Sequence, residues 1–393
     1  MNFTYYIPTR ILFGAGKLNE LATCALPGKK ALIVISSGKS MRANGYLDRV
    51  IDLLKKNGVG SVVYDKILPN PVKDHVMEGA AVAKANDCDF VVGLGGGSSI
   101  DSAKSIAVMA KNPGDYWDYV SGGSGKGQPL VNGALPIVAI TTTAGTGTEA
   151  DPWTVITKTE TQEKIGYGCD ATFPTLSIVD PELMLSVPPE LTAFQGMDAF
   201  FHAAEGYIAN VAQPASDLFA LESIRLITKY LPIAVKDGSN LEARSAVAWA
   251  NTLSGMVEST SCCISEHSIE HALSGIHPEI PHGAGLIMLS RAYHDFMSDK
   301  APDRYPAMAA AMGVDISNLP PEKQPKAFVD ALATLIVDIG MADISLIDYN
   351  VSPEEAEAIA ANAWDTMGGL FELDPYRLDI TDTTSIIRDA FVK

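Results

Sequence analysis

Short apolar runs alternate with amphipathic stretches along the first part of the chain. The runs are rich in β-branched residues and are typical of strands buried on both faces, while the intervening stretches have helical periodicity. The predicted strands are residues 31–35, 61–65, 90–94 and 136–140, with further strands at 155–157 and 176–180. The predicted helices between them are residues 46–57, 76–86 and 98–110. This alternation predicts a parallel sheet with helices on both faces.

The pattern changes after Pro189, where strand signals fade and long, alanine-rich helical patterns begin. These predicted helices are residues 191–209, 216–230, 242–258 and 266–274. The change, together with the prolines before it, places a domain boundary near Ser186. We therefore expect an α/β dinucleotide-binding domain with a Rossmann-like nucleotide site over residues 1–185 and an all-α metal-binding and catalytic domain over 186–393.

Composition and charge narrow the class of protein. The chain has 393 residues, a formal net charge of −18 and five cysteines, none of them in a Cys-x-x-Cys motif. Such acidity argues against nucleic acid and anionic membranes as partners, because both require a basic face. The first residues lack the features of a signal peptide, and no apolar run approaches the roughly 20 residues needed to span a bilayer. We expect a soluble, cytoplasmic protein with reduced cysteines.

A cluster of glycines lies where the third strand of this series meets its helix, in Gly93-Leu-Gly-Gly-Gly-Ser-Ser-Ile-Asp101. Glycine lets a backbone approach a ligand closely, and a helix N-terminus offers free N–H groups to a pyrophosphate. The spacing departs from the usual dinucleotide fingerprint, since Ser98 stands where the third glycine belongs. The alternative is a tight turn capped by Ser98 or Ser99, with no ligand.

Two further loops follow predicted strands and could contact a nucleotide. The loop Ser36-Ser-Gly-Lys-Ser40 contains no carboxylate that would hold a ribose 2′-hydroxyl and repel a 2′-phosphate, which favours NADP(H) over NAD(H). The loop Thr141-Thr-Thr-Ala-Gly-Thr-Gly-Thr-Glu149 combines many hydroxyls with two glycines, a composition better suited to ligand contacts than to a core. In both cases the alternative is a plain solvated loop.

Histidines concentrate beside acidic residues in the helical half of a chain that has only seven of them. Asp198 and His202 are four residues apart on one predicted helix face, His267 and His271 repeat that spacing, and His282 follows in Pro-His-Gly-Ala-Gly. One carboxylate and several imidazoles suit Fe(II) or Zn(II), and also Mn(II) or Co(II). A single histidine would more often be a packing residue, but this combination predicts a metal site.

Four motifs in this order resemble the iron-containing (type III) alcohol dehydrogenase family, which has the dehydroquinate synthase-like fold. They are Gly95-Gly-Gly-Ser-Ser-Ile-Asp-Ser-Ala-Lys104, the loop from Thr141 to Glu149, Gly196-Met-Asp-Ala-Phe-Phe-His-Ala-Ala-Glu205, and His267-x-x-x-His271 followed by Pro281-His-Gly283. The loop from Ser36 to Ser40 is similar to that of the butanol dehydrogenase-like branch, which uses NADPH.

The resemblance implies roles for individual residues. It implies that the metal, Fe(II) or alternatively Zn(II), is held by Asp198, His202, His267 and His282, and that His271 lies beside the substrate. It also implies that Lys164 lies near the nicotinamide ribose and Lys104 in the pyrophosphate loop. The predicted nucleotide-binding residues are Ser37, Gly38, Ser40, Gly95, Gly96, Gly97, Ser98, Asp101, Lys104, Thr141, Thr142, Thr146 and Lys164.

The predicted function is metal-dependent hydride transfer between NADP(H) or NAD(H) and a small primary alcohol or aldehyde, in a cleft between the two domains. His271 is the candidate for moving the alcohol proton to solvent, since imidazole titrates near neutral pH. The family resemblance implies a homo-oligomer, a dimer or a multiple of one. The alternatives are a glycerol dehydrogenase-like zinc enzyme using NAD, a dehydroquinate synthase-like lyase, and a non-catalytic metal-stabilised protein.

Overall fold

A computed structural model describes residues 2–392. The chain forms two compact units. The first unit is Ile7–Ser186, and the second runs from Val187 onward and includes the residues before Ile7. The assignment of that short N-terminal segment to the helical unit was not expected from the sequence, which placed it in the α/β domain. Among the residues described, no helix is long and apolar enough to cross a membrane.

The first unit is built on a parallel sheet. Its strands, together with a separate two-stranded pair, are β1 (Arg10–Phe13), β2 (Lys30–Ser36), β3 (Gly60–Ile67), β4 (Phe90–Gly95), β5 (Ile137–Thr141), β6 (Thr154–Lys158), β7 (Glu163–Tyr167) and β8 (Leu176–Val179). The sheet has the order β1-β8-β5-β4-β2-β3, and every neighbouring pair in it is parallel. Strands β6 and β7 form an antiparallel hairpin outside that sheet.

Helices of the first unit connect the strands of the sheet. They are α1 (Ser40–Ala43), α2 (Tyr46–Lys56), α3 (Lys73–Ala85) and α4 (Gly97–Lys111). Strand β4 is buried at every position and lies between β2 and β5. A parallel strand covered on both faces must be apolar throughout, which explains the uninterrupted run in the sequence. The carboxyl ends of β2, β4 and β5 therefore meet at one edge of the sheet.

Among the residues described, all the regular secondary structure of the second unit is helical. Its helices are α5 (Pro189–Ile208), α6 (Pro214–Lys236), α7 (Leu241–Thr260), α8 (Ser265–Ile276), α9 (His282–Lys300), α10 (Tyr305–Ala311), α11 (Gln324–Asp338), α12 (Ala356–Met367) and α13 (Ile380–Asp389). Helix α5 packs against α6, α7 and α9, and α8 packs against α9 and α12. Most of α5 and α8 is buried, so polar side chains on these helices are held away from water.

The predicted fold class, a parallel α/β domain followed by an all-α domain, is confirmed. Each predicted strand and helix corresponds to an observed element whose ends differ by a few residues. The sequence reasoning missed β1 and β7. Strand β1 has only four residues at the edge of the sheet, and β7 reads Glu-Lys-Ile-Gly-Tyr, which has little of the apolar pattern of a buried strand.

Candidate metal and nucleotide sites

Three helices bring the predicted metal ligands together around Asp198. Asp198 and His202 lie one turn apart on α5, His267 comes from α8, and His282 is the first residue of α9. The Asp198 Oδ1 atom lies 3.4 Å from His202 Nδ1, 3.5 Å from His267 Nε2 and 3.4 Å from His282 Nε2. One buried carboxylate oxygen is thus faced by three imidazole nitrogens.

The spacing of these side chains suits a shared divalent metal ion better than direct hydrogen bonds between them. Their separations exceed the usual N–H···O distance of about 2.9 Å, and Asp198 Oδ1 and His267 Nε2 are buried without a hydrogen-bond partner. Asp198, His267 and His282 each offer one ligand atom, all within 4.8 Å of one another. A carboxylate with imidazoles is a donor set for first-row divalent ions. His202 faces the same oxygen and stacks on His267, with 4.3 Å between ring centroids.

Two buried carboxylates orient the imidazoles from behind. Glu205 Oε1 contacts His267 Nδ1, and Glu270 Oε2 contacts His282 Nδ1. A carboxylate on Nδ1 leaves Nε2 directed at the metal position, which is the usual arrangement behind metal-binding histidines. Sequence reasoning did not assign these two residues a role. Their only signal was spacing, because Glu205 follows His202 by three residues and Glu270 follows His267 by three, on the same helix faces.

The charges of the cluster support one another. Burial alone would raise the pKa of Asp198, but His202 and His282 outweigh it and hold that pKa well below its usual value. Burial alone would lower the pKa of His267, but Glu205 and Asp198 raise it well above its usual value. The buried carboxylates and the protonated imidazoles therefore stabilise one another, and a metal cation can bind in place of the imidazole protons.

Glycines in α9 allow the three helices to approach so closely. A Cβ atom on Gly283 would lie 2.1 Å from the backbone oxygen of Phe194 in α5, and one on Gly285 would lie 2.8 Å from Glu270 Cγ in α8. Any larger residue would push α9 away from both neighbours. The Pro-His-Gly-Ala-Gly sequence is thus explained by packing, and it places His282 at the start of a helix in contact with α5 and α8.

The remaining histidines fall into different environments. His271 is buried beside the cluster, with its ring centroid 5.2 Å from that of His282 and its Nδ1 2.9 Å from Met367 Sδ. His277 pairs with Glu355 at 2.9 Å, away from Asp198. His294 is completely buried, between Glu266 and the Tyr305 hydroxyl. Of these three, His271 alone contacts the rings of the proposed ligands in the part of the chain described.

The glycine cluster forms the corner between β4 and α4, as predicted. The helix is preceded by Gly96 and begins at Gly97, and no side chain caps it. The alternative in which Ser98 or Ser99 caps the helix is therefore wrong, because both lie inside its first turn. Gly95 has a φ of +149°, a conformation that side chains rarely adopt. An uncapped helix N-terminus after such a corner can accept an anionic group.

The threonine loop after β5 lies against the glycines. The Thr142 N–H donates to the Gly95 carbonyl at 2.9 Å, and Gly95 and Thr141 are register partners in the sheet. A Cβ atom on Gly97 would lie 2.4 Å from Thr146 Cγ2, and one on Gly96 would lie 2.8 Å from Thr143 Oγ1. The two loops that were predicted separately thus form one surface of small and hydroxyl-bearing residues.

The placement of Lys104 is at odds with the predicted phosphate contact. Lys104 is fully buried, and its ammonium donates to Thr148 Oγ1, the Trp153 carbonyl and Asp151 at 2.6–3.1 Å. Asp101 is likewise engaged, since it accepts from Thr148 Oγ1 at 2.7 Å and from the Val155 N–H at 2.9 Å. Both residues tie α4 to Thr148 of the threonine loop and to the segment from Asp151 to Val155 that leads into β6. They support this surface of small and hydroxyl-bearing residues from beneath, a role that spacing alone does not reveal.

The other predicted nucleotide contacts are found in three places. Ser37, Gly38 and Ser40 are exposed beyond the carboxyl end of β2, where the Ser37 N–H donates to the Ile67 carbonyl at 2.8 Å. Lys164 is buried in β7, opposite Thr157 of β6. Ser98 lies at the start of α4, and its hydroxyl contacts the Pro69 carbonyl.

A parallel α/β unit with a glycine-lined helix start, joined to a helical unit with a carboxylate–imidazole cluster, is the structural signature of a metal- and nucleotide-dependent oxidoreductase. Comparison with known families gives the particular group. Residues 8–181 match the family described as iron-containing alcohol dehydrogenase. Residues 192–391 match its C-terminal counterpart, described as Fe-containing alcohol dehydrogenase family, C-terminal.

Individual relatives agree with this match. A choline dehydrogenase of Bacillus subtilis is 35% identical over 92% of this chain and 88% of its own length. A probable NADH-dependent butanol dehydrogenase of the same organism is 33% identical over 92% of this chain and 93% of its own. The crystal structure of an archaeal halo-thermophilic Red Sea brine pool alcohol dehydrogenase superposes with a TM-score of 0.94, at 33% identity and 99% coverage of both chains.

The chain belongs to the iron-containing alcohol dehydrogenase family. The resemblance inferred from four motifs is thereby confirmed, and so is the class of enzyme, an alcohol dehydrogenase that uses a nicotinamide nucleotide.

Proposed function

We propose that the chain interconverts a small primary alcohol and its aldehyde, using a metal ion held by Asp198, His202, His267 and His282. The observation that carries this proposal is the convergence of three imidazole nitrogens on Asp198 Oδ1. Two of the converging atoms, Asp198 Oδ1 and His267 Nε2, are buried without hydrogen-bond partners. The family match supports iron as the metal. When bound, such an ion supplies Lewis acidity that polarises a carbonyl or hydroxyl oxygen.

The residues around the cluster complete the proposed chemistry. Glu205 and Glu270 hold His267 and His282 in the tautomer that leaves Nε2 free for the metal. His271 lies beside His282 and is the proposed group for moving the alcohol proton, because imidazole can accept and release a proton near neutral pH. The glycine and threonine loops would hold the pyrophosphate of the nucleotide at the start of α4.

Replacing a single ligand tests the proposed metal site. We expect His267→Ala to lose bound metal and aldehyde reduction together, because it removes one donor and leaves Glu205 without its partner. Metal analysis of anaerobically purified protein, together with turnover of small aldehydes, measures both. His277→Ala is the matched control, since His277 pairs with Glu355 outside the cluster and should retain both properties. A His267→Ala protein with full metal content and turnover would refute the assignment.

For the nucleotide we propose a preference for NADP(H) over NAD(H). The supporting observation is the exposed Ser37, Gly38 and Ser40 beyond β2, where a carboxylate that would repel a 2′-phosphate is missing from the loop. The butanol dehydrogenase relative is named as NADH-dependent, so the two nucleotides must be compared directly. The loop from Ser36 to Ser40 predicts the higher kcat/KM with NADPH.

A substitution at Gly38 tests the origin of that preference. A Cβ atom there would lie 3.5 Å from Ser36 Oγ, an ordinary contact, so a side chain fits without strain. We expect Gly38→Asp to lower kcat/KM with NADPH by about tenfold or more through charge repulsion, which corresponds to roughly 1.4 kcal/mol. Gly38→Asn, equal in size but neutral, should change it little. Equal losses in both variants would show that size, and not charge, is responsible.

We also propose that the enzyme works in a reducing, cytoplasmic compartment as a homodimer. Five free cysteines support the compartment, because disulfides are rare in reducing surroundings. The dimer is supported by the family resemblance of the sequence motifs. Size-exclusion chromatography with light scattering measures the mass in solution directly.

A further inference from the structure

Two adjacent cysteines and a glutamate form a second group of metal-ligating side chains in the helical unit. Cys262 and Cys263 lie in the turn between α7 and α8, and Glu258 is in the last turn of α7. Both thiols are free and half-buried, and Glu258 is buried. The two Sγ atoms and one carboxylate oxygen lie within 4.8 Å of one another. None of these residues belongs to the Asp198 cluster.

Hydrogen bonds hold this turn in place on both sides of the thiols. The Cys263 N–H donates to Glu258 Oε2 at 3.1 Å, and the Ser261 hydroxyl donates to the Gly206 carbonyl at 2.7 Å. On the far side, the Ile264 N–H donates to Glu205 Oε2 at 2.7 Å. The backbone that carries the sulfur atoms is therefore already positioned, so a ligand would not have to order it.

Negative charge at the end of α7 favours a cation at this turn. The turn follows the C-terminus of α7, the end of a helix that carries partial negative charge. The sequence from residue 245 to residue 290 contains no lysine or arginine whose charged side chain could take the place of a bound cation. The Glu258 carboxylate adds a full negative charge within reach of both sulfur atoms.

We propose that Glu258, Cys262 and Cys263 bind a thiophilic divalent cation of the Zn²⁺ or Cd²⁺ class, separately from the metal at Asp198. Two sulfur ligands and one carboxylate oxygen supply three positions of the tetrahedral set that these ions prefer, with water completing it. The sulfur atoms distinguish this site from the Asp198 cluster, whose nitrogen and oxygen donors suit iron.

Binding should strengthen as the pH rises. A hydrogen bond with Cys262 raises the pKa of Cys263 well above its usual value, and burial, Glu258 on α7 and Glu205 on α5 raise it further. The cation must therefore displace a proton from Cys263, and the apparent affinity falls wherever protons compete.

Cadmium absorption of the full-length, iron-loaded enzyme tests the proposal. Cd²⁺ should produce a near-ultraviolet charge-transfer band from its bonds to sulfur, saturating at one equivalent. Cys262→Ser and Cys263→Ser should each weaken this binding by about tenfold or more, because each removes one sulfur ligand. Cys24→Ser is the matched control, since Cys24 is also free and half-buried but lies in the other unit. It should leave the band unchanged.

Alkylation of the unaltered enzyme gives a second measurement that does not depend on variants folding. Cd²⁺ should slow iodoacetamide modification of Cys262 and Cys263 by about tenfold or more, while Cys24 and Cys169 react as before; mass spectrometry identifies each site. Absence of both the absorption band and this protection would overturn the proposal. A band that persists in both serine variants would also overturn it. Neither readout depends on alcohol turnover.

Discussion

Asp198 shares one carboxylate oxygen among three imidazole nitrogens, all between 3.4 and 3.5 Å away. The sequence could identify these residues because Asp-x-x-x-His and His-x-x-x-His each place two polar groups on one helix face. It could not identify how they meet. The contact between α5, α8 and α9 depends on Gly283 and Gly285, whose close approach to Phe194 and Glu270 has no periodic signature.

The roles of Glu205 and Glu270 could not be decided from their spacing in the sequence. Each lies on the same helix face as a predicted ligand, but a buried glutamate three residues from a histidine can serve several roles. Only the fold shows that Glu205 reaches His267 and that Glu270 reaches across to His282 on another helix.

We expect Glu270→Gln to weaken metal binding by about 10–100-fold while leaving nucleotide binding unchanged. The amide keeps the size of the side chain but removes the charge that makes His282 a better ligand. Competition with a chelator of known affinity measures the change. Glu279→Gln is the matched control, because Glu279 is exposed in the connection between α8 and α9, nine residues after Glu270. Unchanged metal affinity in Glu270→Gln would contradict the supporting role.

At the scale of whole elements, the corner between β4 and α4 shows where sequence reasoning succeeded and where it failed. The glycines predicted the corner and its open helix start, since both follow from backbone conformation. The direction of Lys104 did not follow, because a lysine one turn into a helix can point toward the ligand or into the core. It points into the core, where Asp151 and Thr148 bind it.

We expect Lys104→Met to destabilise the first unit by about 3 kcal/mol, since it leaves the buried Asp151 without its cation. Burial raises the pKa of Asp151 to about 7 even with Lys104 beside it. Below that pH the carboxyl takes up a proton and is neutral, so the loss of stability should be smaller there and larger above it. Denaturant unfolding on both sides of pH 7 measures the difference.

The matched control for this prediction is Lys111→Met, at the exposed end of the same helix. It should leave stability unchanged. If Lys104 instead contacted the pyrophosphate, Lys104→Met would raise the KM for the nucleotide without changing the free energy of unfolding. That outcome would support the predicted contact between Lys104 and the pyrophosphate.

At the scale of the whole molecule, the class of fold followed from hydrophobic periodicity alone. Apolar runs separated by helices are typical of a parallel sheet covered on both faces, and this sheet was found. The short edge strand β1 and the hairpin of β6 and β7 were not predicted in this form. Their residues are stabilised by pairing with distant segments, such as β1 with β8, which local patterns do not encode.

Family membership rests on both halves of the chain, since residues 8–181 and 192–391 each match. The first half contains the glycine and threonine loops, and the second contains the carboxylate–imidazole cluster. Neither half would carry out alcohol oxidation alone, because hydride transfer requires both a carrier and a polarised substrate oxygen. The central claim is therefore that turnover depends on a metal at Asp198.

Stepwise restoration of iron to the chelated enzyme tests this claim most directly. Bound iron and NADPH-dependent aldehyde reduction would be measured at each addition, in the unaltered enzyme and in Asp198→Asn. We expect turnover to rise in proportion to the first equivalent bound by the unaltered enzyme, and Asp198→Asn to show neither tight binding nor turnover. Full turnover in the chelated enzyme, or in iron-free Asp198→Asn, would contradict the account.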